Sequence, residues 1–338
     1  MYKFKAVAKG VVMPSGYTHS ILALEFNERS GHSNQGLTFL LREKIRYFQL
    51  GALGPDLPYS QQIEFNGQAE VADKLHYNAT NLIPLKAFEK IRNLKTSAER
   101  DEIFCFFLGY MSHIVADGVI HPFIRDKVGD YAEHSAEHRA LEMKLDVILL
   151  NEFSAQKSGG SGLNLNDTKM HDQIIDPLNT GFLHLAGLFA ELINTVHDTA
   201  LRAQDVENWV RGMHRIFSFA EGNNNQFYAW LPVLETYLFH DKNEVLKNKD
   251  KYLVLKSNEA VGREMNFLKK DVHFINDCIP MFYKAFTPVA LAAYRYVYEN
   301  GTKVEEAQLP AINLDTGRDL RVSAGNDLDR DVVFWGQA

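Results

Sequence analysis

The segment FFLGYMSHIVADGVIHPF (106–123) carries three ionisable side chains on a strongly apolar background. His113, Asp117 and His121 recur at every fourth position, so on a helix they form one column along one face. Burying ionisable groups is costly unless each has a partner. At about 1.5 Å per residue the column is about 12 Å long, which is too long for one metal ion. Two neighbouring ions, bridged by the middle residue, would fit it.

A second column follows at the same spacing and consists of His134, His138 and Glu142. From one helical face, His138 and Glu142 can bind one ion, and two columns that face each other across a bundle can build a multi-metal site. Taken singly, such histidines are more often surface residues or hydrogen-bonded core residues than metal ligands. The apolar setting of the first column and the nearness of the second favour a metal site over that alternative.

The elements that would position both columns are predicted to be helices. Apolar residues follow a helical period nearly throughout, without repeats or a clear strand pattern, so the predicted fold class is all-α. TSAE (96–99) fits a capping box, Thr96 with Glu99, at the start of the first column's helix, and Pro122 predicts that this helix ends near His121. Further helices are predicted over 84–94, 132–153, 180–240 and 255–300.

The predicted domain organisation is one helical domain over residues 1–310, with its metal core within 13–153. QKSGGSGLNLND (156–167) is predicted to be a flexible connection, and EGNNNQ (221–226) a turn. Residues 311–338 are polar and rich in glycine, and they are predicted to form a carboxy-terminal tail.

Length and composition indicate a globular protein, since 46% of the 338 residues are hydrophobic and can bury a sizeable core. A formal net charge of −7 without a Lys/Arg-rich run gives no reason to expect a nucleic-acid partner. Cys105 and Cys278 form no CxxC pair, and neither a signal peptide nor a membrane-spanning stretch is evident, so a cytoplasmic protein is expected. The sequence contains no Walker A, GxGxxG, HExxH or GxSxG motif.

Several stretches in a fixed order resemble the zinc-dependent phospholipase C family. They are THSILAL, FQLGALGPDLPY, LHYNAT, FFLGYMSHIVADGVIHPF and EHRALEMKLD. The family includes bacterial phosphatidylcholine-hydrolysing enzymes, clostridial alpha-toxin and the amino-terminal domain of the phosphatidylinositol-glycan-specific phospholipase D. The resemblance covers residues 13–150. It implies a multi-helix bundle, similar to phospholipase C and P1 nuclease, around a cluster of two or three zinc ions.

Carried over to this chain, the resemblance implies a set of zinc ligands made only of histidine and carboxylate residues. These are His19, Asp56, His76, His113, Asp117, His121, His138 and Glu142. Asp56 is implied to be catalytic as well, either as the general base or as the group that orients the attacking water. Asp117 is implied to bridge two ions, the last three ligands to hold one ion by themselves, and His19 to help hold the third.

Two features differ from the secreted members of the family. In those enzymes the free amino-terminal residue binds the third zinc ion, whereas here 18 residues precede His19, so a two-ion cluster is the alternative to three. The spacing between Asp117 and His121 is shorter than in the secreted toxins and is similar to that of the glycan-anchor phospholipase branch. One turn beyond Glu142, Asp146 is predicted to accept a hydrogen bond from a ligand histidine.

The predicted function is zinc-dependent hydrolysis of a phosphodiester in a phospholipid or a small soluble molecule, without stable membrane insertion or a protein partner. Bound zinc would lower the pKa of a water molecule from far above neutral pH toward about 7. A single-strand nuclease or nucleotidase of the same fold is one alternative, although the lack of a basic run argues against it. The other is a relative that binds metal without catalysis. Eight candidate ligands over two or three ions leave positions for water, which favours catalysis.

Overall fold

The computed structural model describes most of the chain, and the described part is almost entirely helical. The described residues are 16–30, 34–62, 68–156, 171, 182–221, 242–261, 270–322 and 330–335. The predicted all-α fold class is therefore confirmed. Apart from their first residues, the connection predicted over 156–167 and the turn predicted over 221–226 lie outside the described residues.

The described helices differ widely in length, and the two longest carry the two predicted columns. They are α1 (Gly16–Ser30), α2 (Gln35–Glu43), α3 (Ile45–Gly51), α4 (Ala69–Tyr77), α5 (Leu82–Arg92), α6 (Ala98–Val128), α7 (Tyr131–Gln156), α8 (Phe182–His197), α9 (Ala203–Glu221), α10 (Lys242–Lys247), α11 (Lys249–Leu253) and α12 (Ile279–Tyr298). A 3₁₀ segment (Gly54–Gln62) lies between α3 and α4, and a π-helical turn (Phe274–Cys278) leads into α12. Two short strands, β1 (Val254–Leu255) and β2 (Val272–His273), pair antiparallel.

Predicted and observed helices agree in the first half of the chain. The helices predicted over 84–94 and 132–153 correspond to α5 and α7, and the described part of 180–240 forms α8 and α9. The prediction over 255–300 is wrong at its start, where β1 and β2 pair, and among the described residues of this range helical structure begins at Phe274. A strand pair of two residues each is too short to produce an alternating sequence pattern.

Helix α6 is the central element of the fold. Every residue from Ile103 to Asp126 is buried, and α6 packs against α3, α5, α7 and α12. By length and composition α6 is the one described helix that could cross a membrane, but its apolar window is completely buried inside the protein. This burial is the pattern of a core helix, and it encloses the column of His113, Asp117 and His121 in the protein interior.

The two predicted ends of α6 are both wrong. The helix continues through Pro122 to Val128, because tight packing on all sides compensates for the backbone hydrogen bond that proline removes. At the other end the cap is Ser97, whose hydroxyl accepts a hydrogen bond from the Arg100 amide at 3.2 Å. The hydroxyl of Thr96 instead accepts a hydrogen bond from the Arg100 guanidinium.

Helices α3 and α6 cross with their backbones in contact at two glycines. A Cβ atom on Gly51 would overlap the carbonyl oxygen of Phe106, and one on Gly109 would overlap that of Phe48. Because neighbouring backbone cannot move aside cheaply, only glycine fits both positions. The crossing fixes the distance between the 3₁₀ segment that follows α3 and the middle of α6, where the first column lies.

Replacing Gly109 with alanine is expected to lower the stability of the protein by about 1–3 kcal/mol, the usual cost of overpacking a core. Gly187→Ala in α8 is the matched control, since nothing lies within 4 Å of a Cβ atom there. Alanine favours a helix over glycine by about 1 kcal/mol, so the control is expected to be neutral or stabilising. Thermal unfolding midpoints measure both effects, and equal midpoints for the two variants would contradict the close crossing.

The carboxy-terminal part of the chain packs against the helices near the first column. We call residues 309–319 the strap. Within it Leu309, Ile312 and Leu314 are buried, and beyond it the indole of Trp335 donates a hydrogen bond to the carbonyl oxygen of Val119 in α6 at 2.8 Å. The domain boundary predicted at residue 311, with a polar tail over 311–338, stays a prediction.

Candidate metal centre

The eight predicted ligands converge in the interior, and each residue is at most 6% exposed. They form three groups in which one donor atom from each residue lies within 4.8 Å of the others. The His19 cluster is His19, His113 and Asp117; the Asp56 cluster is Asp56, His76 and His113; and the Glu142 cluster is His121, His138 and Glu142. His134, at a break in the helical dihedrals of α7, belongs to none of these three groups.

The Asp56 cluster joins the 3₁₀ segment to α4 and α6. His76 donates from Nδ1 to the carbonyl oxygen of Ala72 at 2.7 Å, and His113 donates from Nδ1 to that of Ala52 at 2.8 Å. Both rings therefore present Nε2 to the cluster, since the other nitrogen carries the hydrogen. His76 Nε2 lies 3.1 Å from Asp56 Oδ1. The i−4 carbonyl on α4 and the turn after α3 thus fix which nitrogen each ring offers.

Asp117 lies at the centre of the arrangement. Its Oδ1 atom is 3.1 Å from His19 Nε2 and 3.7 Å from His121 Nε2, and its Oδ2 atom is 3.0 Å from His113 Nε2. The rings of His19 and His113 are stacked, with centroids 3.9 Å apart. A carboxylate with histidine nitrogens on both oxygens is placed as a bridging ligand would be, which is the arrangement that the column spacing predicts.

The Glu142 cluster connects α6 to α7. His121 Nε2 lies 3.0 Å from Glu142 Oε1, and His138 Nε2 lies 3.4 Å from the same oxygen. On its other side the His121 ring donates from Nδ1 to the carbonyl oxygen of Leu314 in the strap at 2.6 Å. Two histidines and one carboxylate from facing helices make a set that can hold one ion without help from the other clusters.

Several donor atoms in these clusters are buried and have no hydrogen-bond partner among the described residues, although the nearest polar atoms are close. They include both ring nitrogens of His19, both carboxylate oxygens of Asp56, Nε2 of His113 and Oε2 of Glu142. A buried polar atom left unpaired costs about 1–3 kcal/mol. Divalent cations would satisfy most of these atoms, although an imidazole such as that of His19 binds metal through only one of its two nitrogens, and a set of imidazole nitrogens and carboxylate oxygens suits zinc. The residues present therefore fit the metal that the resemblance implies.

The charges in the centre stabilise one another. Burial opposes ionisation of Asp117, but His113, His121 and His19 outweigh it and hold the pKa of this carboxyl well below its usual range. Burial likewise opposes ionisation of Glu142, yet His138 and His121 lower its pKa to about 2. For His121, burial is outweighed by Asp117 and Glu142, which raise its pKa to about 10. The carboxylates thus stay negative and favour a cation between them.

Asp146 has a different partner from the one predicted. Its Oδ1 atom accepts hydrogen bonds from the backbone amide of Thr18 at 2.8 Å and from the Thr18 hydroxyl at 2.5 Å. These bonds tie the first turn of α1 to α7 and so place His19 beside α6. Burial raises the pKa of Asp146 to about 7, against the lowering effect of these bonds. The predicted hydrogen bond from a ligand histidine is replaced by this anchoring of α1.

Two further contributors to the surroundings of the centre carry little or no signal in the sequence. Leu314 contributes a carbonyl oxygen, so its residue type gives no indication of the role. Next to it, Asp315 accepts a hydrogen bond from Arg125 at 2.7 Å, and Arg125 also binds Asp130 at 2.6 Å. Arg125 stands one turn after His121, and that spacing is the one feature that could have drawn attention to it.

Comparison with known proteins identifies the family. A family model described as zinc dependent phospholipase C matches residues 18–206, which is more than half of the 338-residue chain. The chain belongs to this family, as the ordered stretches predict. The matched range contains all eight predicted ligands and ends before the strap. Neither the curated proteins nor the solved structures provide a match.

Proposed function

We propose that the protein is a zinc-dependent phosphodiesterase of the phospholipase C type, which hydrolyses a phospholipid or a related phosphodiester. One observation carries the proposal: three clusters of three donors each meet around Asp117 in a buried site. Structural zinc sites usually have four protein ligands, whereas catalytic sites have three and keep one position for water or substrate. Membership of the family supports the same conclusion.

Bound zinc ions would offset the charge of the phosphate and lower the pKa of a water molecule. The chain supplies the rest of the chemistry. Asp117 faces His19 Nε2 with one oxygen and His113 Nε2 with the other, so both oxygens of this carboxylate would be available to hold metal. Asp56 has two buried oxygens without hydrogen-bond partners, so one can bind metal while the other accepts the proton of the attacking water or orients it.

The test combines metal analysis with substrate assays on the purified protein. Elemental mass spectrometry should find two or three zinc ions per chain. The protein should hydrolyse p-nitrophenylphosphorylcholine and phosphatidylcholine in vesicles, and a chelator should abolish turnover until zinc is restored. Faster cleavage of a single-stranded DNA oligonucleotide would instead indicate the nuclease function. Bound zinc without turnover on any of these substrates would indicate an inactive relative.

A pair of histidine variants separates the loss of a metal ligand from the general effect of removing a histidine side chain. His113→Ala should lose zinc and turnover, because His113 is shared by two clusters. His184→Ala is the matched control, since the ring of His184 in α8 is 75% exposed and pairs with Glu99. The control should keep wild-type zinc content and activity. Retention of all zinc by the His113 variant would contradict the proposed centre.

A further inference from the structure

One residue of the strap contacts a ligand from each of two clusters. The carbonyl oxygen of Leu314 accepts the hydrogen bond from His121 Nδ1 at 2.6 Å, and the amide of Leu314 donates to the carbonyl oxygen of His76 at 3.0 Å. His121 belongs to the Glu142 cluster and His76 to the Asp56 cluster. A single peptide segment therefore connects the two clusters from outside the range that the family model matches.

The two hydrogen bonds have different effects on the two ligands. The bond from His121 Nδ1 places the hydrogen on that nitrogen and turns Nε2 toward Glu142, which is the orientation that metal binding needs. The bond to His76 satisfies one of the last carbonyl groups of α4, which have no partner within the helix. It holds the end of α4, and with it the His76 ring, at a fixed distance from Leu314.

The strap is anchored on both sides of Leu314. The hydroxyl of Thr80 accepts a hydrogen bond from the Ile312 amide at 3.1 Å and donates to the Ile312 carbonyl oxygen at 2.9 Å. On the other side, the carboxylate of Asp315 binds Arg125, whose side chain is buried. With contacts at residues 312 and 315, the peptide at Leu314 has little freedom to move away from the two histidines.

We propose that the strap is a positioning element of the metal centre, with Leu314 as the residue that holds His76 and His121 in register. The identity of the ions as zinc rests on the proposed function. Loosening the strap would let the His121 ring rotate and take the other tautomer. The fold of the protein and the eight predicted ligands would stay unchanged. The zinc affinity of the Glu142 cluster then depends on the strap, which lies far along the chain from these three residues. Releasing the strap lowers that affinity.

Two conservative variants release the strap without touching a proposed ligand. Thr80→Val removes both hydrogen bonds to Ile312 at nearly constant volume, and Asp315→Asn removes the charge that binds Arg125. We expect one of the bound zinc ions to bind about 10–100-fold more weakly in each variant, as is typical when a partner of a ligand histidine is lost. Competition with a chromophoric chelator measures this affinity, and ¹⁵N spectra of the histidine rings should show a changed tautomer signal for His121.

Thr287→Val is the matched control, because it is the same substitution and removes a hydroxyl hydrogen bond within α12, from Thr287 to the carbonyl oxygen of Tyr283. It should leave zinc affinity unchanged. Wild-type zinc affinity in both strap variants would overturn the inference, and so would an equal loss of affinity in Thr287→Val. The readout is zinc affinity, so zinc-binding protein without turnover would contradict the proposed function and leave this inference standing.

Discussion

Asp56→Asn is expected to reduce hydrolysis of p-nitrophenylphosphorylcholine by about 10²–10⁴-fold, the usual contribution of a positioned general base. Asparagine has the shape of aspartate but neither its charge nor its capacity to take a proton. The two carboxylate oxygens of Asp56 are buried and lack hydrogen-bond partners among the described residues. The substitution therefore breaks no hydrogen bond between this side chain and those residues. The fold should therefore persist, which circular dichroism and the unfolding midpoint can verify.

The matched control for this variant is Asp73→Asn. Asp73 lies on α4 near the same cluster, and its carboxylate accepts a hydrogen bond from the hydroxyl of Tyr59 at 3.0 Å. It is exposed and belongs to none of the three clusters of described donor residues, so turnover should change little. Zinc content separates the two roles of Asp56, because a lost ion indicates a ligand and a retained ion indicates a base. Full turnover in Asp56→Asn would exclude both.

Asp117→Asn is expected to release at least one zinc ion and to abolish turnover. Its two oxygens face histidine nitrogens on opposite sides, and an amide can offer only one oxygen to a metal. Loss of the charge also removes one of the carboxylates that outweigh burial and raise the pKa of His121. Breaking a buried charge pair typically costs about 3–5 kcal/mol, so the metal-free variant should be less stable than metal-free wild type.

Zinc stoichiometry and the unfolding midpoint in chelator measure the two effects separately. Asp101→Asn serves as the control on the same helix, because Asp101 lies in the first turn of α6 and accepts a hydrogen bond from Tyr298 at 2.7 Å. That variant should keep every zinc ion. A full complement of zinc in Asp117→Asn would mean that the bridging position belongs to another group.

Much of the metal centre was predictable because its ligands are side chains at helical spacing. The column of His113, Asp117 and His121 follows from the period of one helix, and the pairing of His138 with Glu142 follows from another. The family resemblance indicated which clusters meet in space. Spacing along separate helices could not do so, because it does not define how the helices face each other. The structure brings the same eight residues together, and their role as ligands stays a prediction that the variants test.

The parts that the sequence did not predict depend on contacts between distant segments. Pro122 does not end α6, because the packing around it is a property of the whole fold. The partner of Asp146 is Thr18, 128 positions away, and no local pattern indicates such a pair. The role of Leu314 comes from its backbone, and every residue type has the same carbonyl group. These limits are physical, because a single chain reveals local periodicity far better than long-range contact.

The distance along the chain between His121 and Leu314 has a consequence for synthesis. The two residues are 193 positions apart, and the last side-chain donor, Glu142, also precedes the strap by many residues. At a translation rate of about 5–20 residues per second, the donors leave the ribosome roughly 10–40 s before the peptide that orients His121. The growing chain therefore carries His121 before the carbonyl group that orients its ring has been synthesised. Tight zinc retention should appear only once synthesis has passed the strap.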